Sequence, residues 1–150
     1  MSDQSNIPDA LSKRRLKLWI RLLGVTRTVE SALRDHLRAH DTTLPRFDVM
    51  AALWRRREGL TMGELSRLLL VSNGNATAVV DRLERDGFAR RMQDETDRRT
   101  FRVSLTAAGL AAFETWAEGH EAEVNRLFAN LTESEIDTLT RILKRLRETP

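Results

Sequence analysis

Apolar side chains recur every three or four positions along most of this chain and every second position in one short stretch. Residues 11–40 read as one long helix. Leu18, Leu22, Val25, Val29, Ala32 and His36 line a single face, with no internal proline and one glycine, Gly24. Residues 41–45 end it, and Pro45 can open a second helix, where a missing N–H costs nothing. Phe47, Met50, Ala51 and Trp54 form the inner face of that helix, and Glu58-Gly59 stops it. Thr61 and Glu64 then have the spacing of a capping box, ahead of Leu65, Leu68 and Leu69 on a short helix. Ser72 can cap the next helix, which buries Ala76, Val79, Val80 and Leu83, and Gly87 suits the left-handed position that ends it.

Period two appears after that glycine. Residues 88–93 and 100–105 read as two short strands, with Phe101, Val103 and Leu105 alternating with Arg102 and Ser104. The six residues between them, 94–99, are polar and form a hairpin tip. Thr106 caps a helix to about residue 129, striped by Phe113, Trp116, His120, Val124 and Leu127. A second capping box, Thr132 to Glu135, starts the last helix, whose stripe is Ile136, Leu139, Leu143 and Leu146. The predicted fold is mainly α with a small β-wing.

A short helix, a tight turn, a capped second helix and a hairpin form the order of a winged helix-turn-helix. The second helix of such a unit enters the major groove, where its N-terminal side chains meet base edges. Here that face is Ser72, Asn73, Asn75, Thr77 and Ala78. Small polar side chains permit close approach, and Asn can bond adenine through two hydrogen bonds. Read alone, Ser-Asn-Gly-Asn is an ordinary turn-forming stretch. The apolar stripe and the hairpin behind it favour DNA readout. At the tip, Arg98 and Arg99 can reach a narrow, negative minor groove. Asp97 has no favourable phosphate contact, so its expected role is to organise the tip.

Composition narrows the function further. The 150 residues carry a net charge of +3 and no cysteine, which excludes disulfides, thiolate metal sites and thiol redox sensing. Residues 1–44 hold eight basic and five acidic side chains, and residues 45–105 hold twelve and nine. Residues 106–150 hold five and eight. A basic front and middle before an acidic end suits an anionic polymer over part of the chain. No apolar run approaches the ~18 residues of a membrane span. Residues 1–9 lack an apolar signal core, so they read as a frayed tail and the expected location is cytoplasmic.

The same residues resemble the MarR family of winged helix-turn-helix regulators. The similarity lies in Leu44-Pro45-x-Phe47 and in Leu60-Thr61-x-x-Glu64-Leu65-Ser66. It continues through Val79-Val80-Asp81-Arg82-Leu83-Glu84-Arg85-Asp86-Gly87. Asp97-Arg98-Arg99 and Val103-x-Leu105-Thr106-x-x-Gly109 complete it. The resemblance spans about residues 11–147. It implies one domain over residues 1–150, with dimerisation helices at 11–40 and 106–148 and a winged helix-turn-helix at 45–105. It implies a triangular homodimer on a pseudo-palindromic double-stranded operator, touched by Ser72, Asn73, Asn75, Thr77, Ala78, Arg82, Arg98 and Arg99. Asn73-Gly74-Asn75 departs from the basic or hydroxyl residues common there, and leaves the operator sequence open. The run from Val71 to Asn75 also resembles a subgroup linked to aromatic acid or acyl-coenzyme A catabolism.

A dimer follows from the stripes too, because the first helix and the last two helices carry more apolar surface than one winged unit can cover. The resemblance places an effector pocket between dimer helices and winged domain. Trp19, His36, Arg46, Phe47, Met50, Trp54 and Trp116 are its candidate lining, suited to an acidic aromatic ligand, although each is also a reasonable core residue. His36 and His40, at i and i+4, have no third convergent ligand in sequence, so no metal or cofactor is expected. No catalytic triad, paired acids or phosphate-binding loop appears, so the chain does not read as an enzyme. The leading expectation is a repressor released by a ligand that prefers a conformation with misplaced recognition helices. A dimeric protein-interaction module is the alternative, and salt-dependent DNA binding discriminates between them.

Overall fold

The computed structural model describes residues 9–148. Its elements run α1 (Ala10–Arg38), α2 (Leu44–Arg55), β1 (Leu60–Thr61), α3 (Met62–Leu69) and α4 (Asn73–Arg85). They continue β2 (Ala89–Gln93), β3 (Phe101–Leu105), α5 (Ala107–Leu127) and α6 (Glu133–Arg147). Among the expected N-terminal tail residues, 1–8 lie outside the described residues. Asp9 is helical punctuation rather than tail: its Oδ1 accepts from Leu11 N–H at 3.1 Å and caps α1. The helices thus begin where short polar side chains satisfy otherwise orphaned N–H groups, at Asp9, Thr43, Thr61, Ser72, Thr106 and Thr132. Both expected capping boxes close reciprocally, Thr61 with Glu64 and Thr132 with Glu135.

The sheet has three strands, one more than the alternation pattern predicts. Its order is β1-β3-β2 and both pairings are antiparallel. The extra strand is only Leu60–Thr61, paired with Val103 and Arg102. Two residues carry no readable period, and the reading of Thr61 as a helix cap hid its second role. Gly59 makes the strand possible. Its φ is +91°, and a Cβ there would lie 2.9 Å from the Val103 carbonyl oxygen.

The core gathers α2, α3, α4 and the sheet around Leu37, Phe47, Met50, Leu53, Leu65, Val80, Leu83 and Val103. Thr106 ties the sheet to α5. Its hydroxyl donates to the Gly87 carbonyl at 2.6 Å, and its N–H donates to the Phe88 carbonyl at 3.0 Å. α5 then starts so close to Phe88 that a Cβ on Gly109 would fall 2.0 Å from that carbonyl oxygen. The two ends of the chain are different. α6 buries none of its residues, and α1 exposes Leu16, Leu18, Trp19, Ile20 and Val25. No described helix is long and apolar enough to cross a membrane.

Candidate nucleic-acid interface

The corner between α3 and α4 is made by an unusual residue. Leu70 takes the left-handed conformation at φ +55° and stands 77% exposed. That conformation costs a non-glycine residue about 1–2 kcal/mol, and it redirects the chain within one residue. Val71 N–H then donates to the Ser66 carbonyl at 3.1 Å, and Ser72 begins the next helix by accepting from Asn75 N–H at 3.2 Å. Ser72, Asn73, Gly74, Asn75 and Ala78 are exposed along the start of α4, and Thr77 is half-buried. Ala76, Val80 and Leu83 are buried on the opposite face.

Those polar side chains are not equivalent. The Ser66 hydroxyl lies 2.6 Å from the Met62 carbonyl and also contacts the Asn73 side-chain amide. Thr77 Oγ1 donates to the Asn73 carbonyl one turn back, at 2.8 Å. Arg82 pairs with Asp86 at 3.3 Å, and Asp86 also receives Arg46 from α2 at 3.6 Å.

The wing is held to α4 by Arg91 on β2, which reaches Asp81 at 2.6 Å and Glu84 at 3.1 Å. At the tip, Asp97 accepts Arg99 N–H at 3.0 Å through one oxygen and the Thr100 hydroxyl at 3.1 Å through the other. Asp94 is a second organiser. It accepts Thr96 N–H at 3.1 Å and pairs with Arg102 at 3.2 Å. The backbone bond from Thr96, the Thr96 hydroxyl and then Arg102 hold its carboxyl below the usual range. Gln93 Nε2 donates to the Arg98 carbonyl at 2.6 Å. These bonds fix the backbone and leave the guanidinium groups of Arg98 and Arg99 in solvent, without an ion pair among the described residues. The sequence reading did not single out Asp94, Gln93 or Arg91. The Asp-x-Thr spacing of a side-chain-capped turn was a usable signal for Asp94. Arg91 had none, because its partners lie on another element.

The candidate effector residues do not converge on one wall. A cavity of about 580 Å³ opens between α2, α3 and α5, lined by Phe47, Ala51, Arg55, Arg56, Leu69, Phe113 and His120 among others. Phe47 alone of the seven candidates lines it. Trp54 lines a smaller neighbouring cleft, and Met50 is fully buried. Arg46 is taken up by Asp86, Trp116 packs edge-on against Phe88, and Trp19 stands 58% exposed on α1. His36 packs on the bare backbone of Gly119, where a Cβ would sit 2.6 Å from its Nε2. His120 stacks on Phe47 at 4.2 Å between ring centres. Burial first and His36 second lower its pKa. Asp48, at the cavity rim, faces solvent over part of its surface, yet partial burial and Glu30 raise its carboxyl to about 6. Among the described residues, no three His, Cys, Asp or Glu side chains converge as a metal site.

Comparison with known proteins agrees with this architecture. Residues 42–101 match the model of the MarR family. The HTH-type transcriptional regulator YkoM of Bacillus subtilis is 36% identical over 116 residues, covering 77% of this chain and 74% of that protein. The HTH-type transcriptional regulator MhqR of the same organism is 26% identical over 136 residues, covering 91% of this chain and 93% of that protein. The crystal structure of a MarR mutant from E. coli complexed with operator DNA superposes with a TM-score of 0.81. That pair is 27% identical, covering 97% of this chain and 99% of the other.

Proposed function

The chain belongs to the MarR family of DNA-binding transcriptional regulators, which are not enzymes, and we propose that it acts as a homodimeric repressor of a pseudo-palindromic operator. The observation that carries this reading is the pairing of one exposed polar helix start with a braced, cationic wing. α4 and its N-cap present Ser72, Asn73, Asn75, Thr77 and Ala78 to the major groove, with Arg82 further along. Arg91 couples the wing to α4, and the Asp97 and Asp94 bonds hold the tip while Arg98 and Arg99 make no ion pair among the described residues. Rigid positioning reduces the ordering cost of binding. Residues 11–40 and 106–148 form the dimer layer in this reading, because the apolar stripes of α1 and α6 are uncovered in one copy. Two-fold symmetry sets the recognition helices about one DNA turn apart, ~34–36 Å. A cytoplasmic location belongs to the same reading.

Repression is relieved by an acidic aromatic effector in the cavity between α2, α3 and α5. Phe47, Phe113 and His120 offer aromatic walls, and Arg55 and Arg56 offer cationic partners for a carboxylate. A coenzyme A thioester would place only its acyl end there. Fluorescence anisotropy with the chain's own upstream promoter DNA and a scrambled duplex, across a salt series, tests the reading. Tight, salt-dependent binding of the promoter, weakened by benzoate-type acids, is expected. Equal affinity for both duplexes overturns it.

A further inference from the structure

We propose that base reading by this chain is concentrated in Asn75, which recognises an adenine, and that Asn73 and Thr77 are positioning residues for the helix-turn-helix corner. This deepens the DNA-binding reading above and rests on it. Four polar side chains crowd the start of α4, and three are already in use. Ser72 accepts from Asn75 N–H. Thr77 has given its hydroxyl proton to the Asn73 carbonyl. Asn73 is held across the corner by Ser66 on α3. A hydroxyl has one proton, and Ser66 lies 2.6 Å from the Met62 carbonyl. That proton is shared between the Met62 carbonyl and the Asn73 Oδ1, the two acceptors the hydroxyl faces. Met62, Ser66 and Asn73 then form a continuous link from α3 to the first residue of α4.

Asn75 is the exception. Its backbone N–H is satisfied by Ser72, and its side chain is exposed and makes no hydrogen bond among the described residues. It therefore keeps one acceptor and two donors. That set matches the N6 donor and N7 acceptor of adenine in the major groove, an arrangement no other base pair offers. Its neighbours clear the way. A Cβ on Gly74 would meet nothing nearer than the Ser72 hydroxyl at 4.0 Å. Ala78, on the next turn, is exposed and small enough to lie beside a thymine methyl. Redirecting Asn73 to DNA would break its contact with Ser66 across the corner, and redirecting the Thr77 proton would break a bond to the first residue of α4, whereas using Asn75 breaks none.

The test is selection from a randomised duplex library by the full chain and by Asn75→Ala, Asn73→Ala and Thr77→Val, with melting curves for each. The wild type should select an adenine at one symmetric position in each half-site. Asn75→Ala should lose preference at that position alone, by about 5- to 150-fold, with an unchanged melting temperature. Replacing that adenine by 7-deazaadenine, which lacks N7, should weaken the wild type and leave Asn75→Ala unaffected. Asn73→Ala and Thr77→Val should melt earlier and bind all sequences more weakly while keeping the same preferred base. Loss of the adenine preference in Asn73→Ala or Thr77→Val, or its retention in Asn75→Ala, overturns the assignment while leaving the regulator reading intact. Failure of the wild type to select any sequence overturns both.

Discussion

The winged core and the helical ends carry the same kind of apolar periodicity and meet opposite fates. In the core, Leu65, Val80 and Leu83 are fully buried. On α6, Leu139 and Leu143 are each 43% exposed and Leu146 is 53% exposed, although they repeat with helical spacing. Periodicity states which face of a helix will be apolar and leaves open what covers it. The core stripes are covered by elements less than a hundred residues away in the same chain. α6, a 15-residue helix that buries nothing, is of a length that is marginal in isolation. Its stripe therefore depends on another surface, as does that of α1, where Trp19 and Ile20 stand 58% and 65% exposed.

The largest effect should come from breaking that dependence. Leu139→Asp with Leu143→Asp places two carboxylates in each α6 stripe. A leucine buried at an interface contributes about 1.5–3 kcal/mol, so four across a two-fold axis represent roughly 6–12 kcal/mol of association. Sedimentation should show a monomer, and DNA affinity should fall with it. An unchanged dimer would place the interface elsewhere and remove the contrast between the two regions.

The next prediction applies one substitution to both regions. In the packed part, Gly109→Ala puts a methyl 2.0 Å from the Phe88 carbonyl oxygen. Neither backbone can yield without opening the Thr106 junction. Overpacking of this kind costs about 3 kcal/mol or more, seen as a lowered melting temperature. In α1, a Cβ on Gly24 meets nothing within 4 Å. There Gly24→Ala should stabilise the helix by about 0.5–1 kcal/mol. Destabilisation at Gly24 accompanied by loss of the dimer would place a partner backbone against it.

Local signals were the legible part of this molecule. The capping residues Thr61, Glu64, Ser72, Thr106, Thr132 and Glu135 could be located because each acts within three positions of its own helix. Gly87 could be placed for the same reason, and its φ is +78°. The illegible parts are relations across the fold. β1 exists because Leu60 meets Val103, 43 positions away. The contact of Asn73 with Ser66 likewise joins α4 to another helix. Trp19, Met50 and Trp54 share an aromatic or apolar character that suits a pocket wall, yet one is exposed, one is buried and one lines a secondary cleft.

A smaller effect belongs to the wing. Asp97→Ala removes a negative charge near DNA, so long-range electrostatics predicts tighter binding. The structure predicts the reverse, because Asp97 accepts from Arg99 N–H and the Thr100 hydroxyl. Two hydrogen bonds to a charged acceptor are lost, each worth about 1.5–3 kcal/mol at most when well shielded. At this exposed tip the cost in affinity should be nearer 1 kcal/mol. Arg99→Ala should weaken specific and non-specific DNA together and lower the salt slope by about one. Tighter binding by a folded Asp97→Ala variant would detach the wing's rigidity from its function.

The smallest effect lies where the two regions meet. His120 on α5 stacks on Phe47 of the core, and His36 of α1 stands nearby. Its Nδ1 is buried without a hydrogen-bond partner among the described residues. Burial and His36 together depress its pKa below the usual 6.5, so the unfolded chain takes up this proton more readily than the folded one. Stability is then fully present above pH ~6.5 and falls as the pH drops through the folded value. Other charges face the same junction: His40 in the turn after α1, Glu121 and Glu123 on α5, Asp48 and Arg55 on α2, and Arg56 at the C-cap of α2. Asp48, raised to about 6, acts with the opposite sign, stabilising the fold as the pH drops through 6. The two must therefore be separated by a difference measurement. His120→Phe keeps a ring against Phe47 and removes the titrating nitrogen, with Asp48 unchanged. Between pH 7.5 and 5.5, the melting temperature of the wild type should decline relative to that of His120→Phe. Parallel pH profiles for the two proteins would mean that the junction tolerates a charged imidazole, and that core and helical ends are coupled there by shape alone.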